Sequence, residues 1–284
     1  MTPTLVRHHP SHTGATARVN LCARARDWSE IQERMLVPLH ETVHERLEVG
    51  PGTRVLGLGC GSGLALLTAG SRGAEVTGVD SRPELLALAR QRLQPDPWGA
   101  RARARARVVE GTPGDAADAE TPAFSLVTAF EPIGCRAGDA EELVDLLTAA
   151  VPLARRGAAV VLTGWGPPER CATTEVLRTV SKPADPPHGA GVWRPAHRDD
   201  LEEVAQRAGL VPDGSGRVSC PFGYADADSA VRGLLSTGLF DAAIATADQA
   251  QVEKEVAEAL HPYQRRDGTV WMPNVFRYLI ARVP

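Results

Sequence analysis

The chain has 284 residues, 43% of them apolar and 23% charged, enough to bury a substantial core, and no apolar run reaches the ~18 residues a membrane-spanning helix requires. A formal net charge of −4 and a pI near 6.1 give no general attraction to polyanions, so neither nucleic acid nor membrane is expected as a partner and the chain reads as cytoplasmic. The five cysteines (Cys22, Cys60, Cys135, Cys171 and Cys220) are odd in number, scattered and without a C-x-x-C spacing, which speaks against a disulfide framework and a zinc site; no metal is expected.

Residues 1–20 are rich in His, Thr, Ser and Pro without an apolar stretch of signal-peptide length, and predict a disordered tail in which His8, His9 and His12 are solvated. From Trp28 to Leu47 the apolar residues Ile31, Met35, Leu36, Leu39, Val43 and Leu47 recur at helical spacing, predicting an amphipathic helix bent near Pro38. Thr53–Leu58 reads as a buried strand running into a glycine loop, with a helix beginning at Leu64. Glu75–Val79 is the next strand, ending at Asp80, and Pro83 suits the first turn of a helix over Glu84–Leu93.

The strictly alternating Arg101–Arg107 reads as a solvated lead-in to a strand at Arg107–Glu110, with a phosphate-binding stripe as the alternative. Strands at Phe124–Phe130 and Ala158–Thr163 flank a helix over Asp139–Leu153. Prolines then bracket a short helix at Glu169–Val180, followed by a helix at Arg198–Ala208, a strand at Gly216–Cys220, three helical pieces within Asp226–Leu260 and a terminal strand over Val270–Ala281. The alternation predicts an α/β fold: a doubly wound, mostly parallel seven-stranded, Rossmann-like sheet with an N-terminal helix. Residues 21–221 with 270–284 form the expected main domain, and 222–269 a helical lid that completes the substrate pocket.

The main chemical signal is Val55-Leu56-Gly57-Leu58-Gly59-Cys60-Gly61-Ser62-Gly63, followed after one helix and one strand by Asp80. Glycines at a strand-to-helix turn permit positive φ and close approach of backbone to ligand, and a carboxylate ending the second strand can accept both hydroxyl protons of a ribose. An adenosine-containing ligand is implied. A dinucleotide fingerprint wants G-x-G-x-x-G, and counting from Gly59 puts Leu64 in the third place.

The pattern G-x-G-x-G instead resembles class I S-adenosylmethionine (SAM)-dependent methyltransferases. The resemblance extends through Val76–Asp80 and Ser81–Leu86, and to Asp27-Trp28 with Gln32, as in bacterial relatives of the ubiquinone/menaquinone-biosynthesis methyltransferases. It implies SAM as cofactor and methyl transfer to a small, partly apolar acceptor. It also implies cofactor contacts at Trp28, Gln32, Gly59, Cys60, Gly61, Gly63, Asp80, Ser81, Thr112 and Phe130, with Phe130 and Glu131 bordering the methyl group. Two residues depart from the family pattern: Gly57 stands where an acidic residue is usual, and Thr112 where many members have Asp.

An oxygen or carbon acceptor would need a general base, for which Glu131, His188 and His197 are the candidates. Cys60 at a helix start is a possible nucleophile but reads as an ordinary loop residue. An RNA methyltransferase and a non-catalytic SAM- or nucleotide-binding protein remain the alternatives; Phe130-Glu131-Pro132-Ile133 does not resemble the Asn-Pro-Pro-Tyr tetrad expected of the first.

Overall fold

The computed structural model describes residues 20–94, 106–117, 123–181 and 193–284. The N-terminal tail with its three histidines, Arg101, Arg103, Arg105 and His188 lie outside the described residues. The first helix, α1 (Leu21–Asp27), starts about two turns before the one expected at Trp28, because the Asn20 side chain accepts the Ala23 amide (3.1 Å) and caps it. It loosens into a π turn (Trp28–Gln32) and a 3-10 turn (Glu33–Leu36) before α2 (Val37–Arg46). The irregularity therefore falls at residues 28–36 and not at Pro38, which sits in the first turn of α2, where its missing N–H has no partner to lose.

The chain continues through β1 (Arg54–Leu58), α3 (Leu64–Ser71), β2 (Glu75–Asp80), α4 (Pro83–Arg92), β3 (Ala106–Glu110), β4 (Phe124–Ile133), α5 (Asp139–Ala150) and β5 (Ala154–Trp165). Then follow α6 (Ala172–Val180), α7 (Asp200–Arg207), β6 (Val211–Ser219), β7 (Phe222–Tyr224), α8 (Ala227–Ser236), α9 (Asp241–Thr246), α10 (Gln249–Ala259), β8 (Val270–Met272) and β9 (Val275–Arg282). Seven strands form one sheet in the order β3-β2-β1-β4-β5-β9-β6. The first five are parallel, and β9 runs antiparallel to both neighbours. The chain winds outward from β1 in one direction and from β4 in the other. The edge at their carboxyl ends is the crevice where such sheets bind ligands.

Core side chains lie on both faces. Leu39, Val43, Leu66 and Ile280 belong to one layer, and Leu56, Leu147, Leu162 and Leu201 to the other. This two-sided burial explains why the parallel strands read as continuous apolar runs.

The terminal strand expected over Val270–Ala281 is two strands. Pro273 cannot donate to a ladder, and buried Asn274 turns aside to accept the Thr173 amide (3.1 Å). Val270–Met272 consequently pairs with β7 in a separate two-stranded sheet, in the register Phe222↔Met272. β7, α8, α9, α10 and β8 form a cover between β6 and β9. It is tied to the leading helix by the Tyr224 hydroxyl donating to Gln32 Oε1 (2.8 Å) and by the ion pairs Arg24–Asp241 and Arg232–Asp27.

Candidate active site

The loop after β1 makes three left-handed turns, at Gly59 (φ +56°), Gly61 (φ +55°) and Gly63 (φ +81°), a conformation that any side chain would strain. Gly63 has a second reason to be glycine: a Cβ there would stand 3.1 Å from Ala89 Cβ, so its role is to let α4 approach the loop. The Gly61 amide donates to Asp80 Oδ2 (2.9 Å), tying the loop to the end of the adjacent strand. At Gly57 a Cβ would come within 2.9 Å of Leu66 Cδ2, so the place of the usual acidic side chain is filled by leucine.

Asp80 is buried, and its carboxylate is engaged by its own neighbour. Arg82 donates from Nε to Oδ1 (2.9 Å) and from Nη2 to Oδ2 (3.0 Å), and the Arg82 amide also donates to Oδ1 (2.9 Å). Burial by itself would raise the Asp80 pKa, but the guanidinium fork and the two amides outweigh it and hold the carboxyl below its ordinary range. Arg82 also donates from Nη2 to Glu131 Oε2 (3.1 Å). Burial opposes its charge, yet Glu131 and Asp80 keep it more firmly protonated than free arginine.

From the other side the π and 3-10 turns bring Trp28 and Glu33 over the loop. Such widened turns are often found where a helix serves a site. Glu33 accepts from the Ser62 hydroxyl, from Arg92 and, at long range, from the Leu64 amide (3.4 Å). A Cβ on Gly61 would lie 3.3 Å from Trp28 Nε1 and 3.4 Å from Glu33 Oε1, so both groups converge on one point of the loop. The next turn supplies His40, whose ring lies against Phe130 (centroids 4.6 Å apart) and whose pKa is lowered to about 3, first by burial and then by His44.

Two cavities meet at the Arg82–Glu131 bridge, and both residues line both. The smaller, about 40 Å³, lies among Trp28, Glu33, His40, Gly57, Gly61 and Phe130. The larger, about 770 Å³, has Gly59 and Glu131 at its base, Ser81 and Leu143 on its walls and Ser236 and Leu239 from the cover above.

The structure thus brings together Trp28, Gly59, Cys60, Gly61, Asp80, Ser81, Phe130 and Glu131. Gln32 is buried beside them but spends its side-chain oxygen on Tyr224. Thr112 follows β3 on the same edge, with its hydroxyl donating to Asp115 (2.8 Å) in a capping box, and it lines neither cavity. His197 is exposed ahead of α7, where its amide donates to Asp200 (2.8 Å), away from both cavities. Phe222, Tyr224 and Phe240 are core residues of the cover, and Ser236–Leu239 with Asp241 and Ala242 form its cavity face. The Cys60 thiol, half-buried, has its pKa pushed up to about 12, first by desolvation and then by Asp80. Glu33, His40, Arg82 and Arg92 were not singled out from the sequence. The available signal was three polar residues, Glu33, His40 and His44, on the buried side of an amphipathic helix.

Residues 55–155 match a family model described as a methyltransferase domain. Over 80 residues the chain is 36% identical to a magnesium-protoporphyrin O-methyltransferase of Rhodobacter capsulatus, a match covering 28% of this chain and 32% of that protein. The matched part is therefore about a third of that relative's length. Among solved structures, a candidate methyltransferase from Bacillus halodurans C-125 superposes with a TM-score of 0.52 at 14% identity, over 86% of this chain and 98% of that one. YjhP from E. coli superposes with a TM-score of 0.52 at 18% identity, over 92% and 99%. At these identities the structural likeness speaks for the fold, and the domain match covers the glycine loop, Asp80 and the strand carrying Glu131. Residues 55–155 thus match a methyltransferase domain, set in a fold that the chain shares with these solved structures.

Proposed function

We propose that the protein transfers the methyl group of SAM to a small, partly apolar acceptor held beneath the α8–α9 corner. The observation that carries this reading is the cavity of about 770 Å³, whose base is the carboxyl edge of β1 and β4 and whose roof is Ser236–Leu239 with Asp241 and Ala242. Its size lies within the range of small-molecule sites. The residues also fit the cofactor. The smaller cavity contains two buried polar atoms without a protein partner, Trp28 Nε1 and His40 Nδ1, beside a glycine cradle that any Cβ would obstruct.

Bound SAM supplies a methyl group already activated by its sulfonium. The chain's own task is to align the acceptor with that methyl and to keep water out. In this reading Asp80 takes the ribose hydroxyls once Arg82 swings off it, and Ser81 and Leu85 border the adenosine. Leu143, Leu146 and Leu239 present apolar surface to the acceptor. Glu131, released from Arg82, accepts a proton if the acceptor is an oxygen or carbon acid. The matched relative's name specifies an O-methyltransferase, which makes hydroxyl and carboxylate acceptors the first to assay.

The test is native mass spectrometry of the protein purified without added ligand, followed by incubation with methyl-labelled SAM and fractionated small-molecule extracts. Co-purified SAM or S-adenosylhomocysteine, and label in a small-molecule fraction, are the expected results. Label entering RNA would replace the acceptor reading, and no label in any fraction despite SAM binding would favour a non-catalytic role.

A further inference from the structure

We infer that Glu33, together with the indole N–H of Trp28, holds the amino-acid end of SAM: the carboxylate takes the ammonium, and the indole takes the α-carboxylate. The inference rests on the SAM reading and concerns how this chain manages without an acid at the tip of β1. Gly57 has no side chain, and Leu66 occupies the space one would need, at 2.9 Å from the Cβ position. A carboxylate does reach the loop from another element: Glu33, from the 3-10 turn.

Its two oxygens are used differently. Oε2 is bound by Ser62 and Arg92, which fix the side chain and balance its charge. Oε1 receives a long bond from the Leu64 amide (3.4 Å) and otherwise faces Gly61. Trp28 Nε1 is a buried donor without a partner, 3.3 Å from the same Cβ position on Gly61. Buried donors left unpaired are rare and costly, so an oxygen belonging to a ligand accounts for this one. His40 Nδ1, also unpaired and buried in the same cavity, belongs to a ring that stays neutral above about pH 3, so it adds no charge to oppose the ammonium. A cavity of about 40 Å³ offers room for roughly three water-sized groups, which suits the head group of an amino acid and not the whole cofactor.

Calorimetry on the full chain with three probes tests the assignment: S-adenosylhomocysteine, its deamino analogue, and 5′-methylthioadenosine, which lacks the amino-acid end. Wild type is expected to bind S-adenosylhomocysteine at least about tenfold more tightly than the deamino analogue, as a charge-assisted bond would give. Glu33→Gln should erase that preference while leaving the other two affinities within about twofold, a pattern that a merely structural role cannot produce. Trp28→Phe should weaken the two carboxylate-bearing probes alike, by about three- to tenfold, and spare methylthioadenosine. Equal loss for all three probes in Glu33→Gln, or full retention of the preference for the amine, overturns the proposal. If Glu33→Gln does not fold, Glu33→Asp, which keeps a partner for Arg92, carries the test: an undiminished preference overturns it. Failure of wild type to bind any of the three removes the SAM reading itself, a different result from a lost preference.

Discussion

The two cavities on either side of the Arg82–Glu131 bridge are built on different physical terms. The smaller is walled mostly by carbon but closely determined by a few directional groups: a glycine loop in positive φ, a carboxylate anchored by an arginine, and the buried, unpaired Trp28 Nε1 and His40 Nδ1. The larger takes apolar surface from several separate elements, including Leu21 of α1, Leu143 and Leu146 of α5 and Leu239 beside α9. Charged, directional contacts concentrate free energy in a few atoms, whereas apolar surface spreads it. The directional groups that hold the cofactor should therefore be intolerant of single changes, and the apolar surface that meets the acceptor tolerant of them.

The bridge itself is the place to break that contrast most severely. If Glu131 takes the acceptor's proton, Glu131→Gln should lower kcat by about 100-fold or more while leaving S-adenosylhomocysteine affinity within about threefold. A single-turnover assay on an identified acceptor checks this. An unchanged kcat would reduce Glu131 to a brace for Arg82. On the cofactor side, Asp80→Ala removes an acceptor of ribose hydroxyls and should weaken S-adenosylhomocysteine by at least about tenfold, since each charge-assisted bond contributes about 1.5–3 kcal/mol. Calorimetry on the folded variant decides it, and unchanged affinity would take Asp80 out of the site.

Much of the smaller cavity could be read from the sequence, because short-range geometry leaves local marks. Gly59, Gly61 and Gly63 each adopt positive φ, and Asp80 ends β2 beside them, as the G-x-G-x-G pattern and the strand period implied. The replacement for the acid at Gly57 was not legible. Glu33 lies 24 positions upstream, and only the π and 3-10 turns, which no propensity announces, rotate it inward. Arg82 was hidden for a different reason: two positions from Asp80 it looks like a helix-start residue, and its grip on both carboxylates depends on where β4 ends. In the cover, three helical pieces were readable from periodicity, but which face meets the cavity was not. Phe222 and Phe240 are fully buried, while Ser236, Thr237 and Leu239 form the roof. Aromatic residues signalled core there rather than substrate contact.

That distinction sets the acceptor-side expectation. Leu239→Ala should raise the acceptor KM by only about three- to tenfold and leave cofactor affinity alone, the scale of a few buried methylene groups. Phe240→Ala should instead lower stability by about 3–5 kcal/mol, seen in denaturant unfolding, because it empties a packed position of the cover. If Leu239→Ala changes S-adenosylhomocysteine affinity as much as acceptor KM, the division between the two cavities does not hold.

The smallest expected effect lies inside the smaller cavity and sharpens the contrast from within. Cys60 sits in the glycine loop, where a helix start could favour a thiolate, but burial first and the nearby Asp80 second push its pKa to about 12. Because the shift is upward, the proton stays on sulfur through neutral and mildly alkaline pH, and thiolate appears only as pH approaches 12. Two consequences can be measured. Alkylation of Cys60, followed by peptide mass spectrometry, should stay slow between pH 7 and 9, with the exposed Cys22 as an internal comparison for reagent access. Cys60→Ser should retain S-adenosylhomocysteine affinity within about threefold, since serine keeps the small volume and no charge is lost. Rapid alkylation of Cys60 at pH 7, or a methyl or acyl group trapped on it during turnover, would move this residue from scaffold to nucleophile. A second directional group would then operate at the cofactor's end of the site, and alignment alone would no longer account for the chemistry.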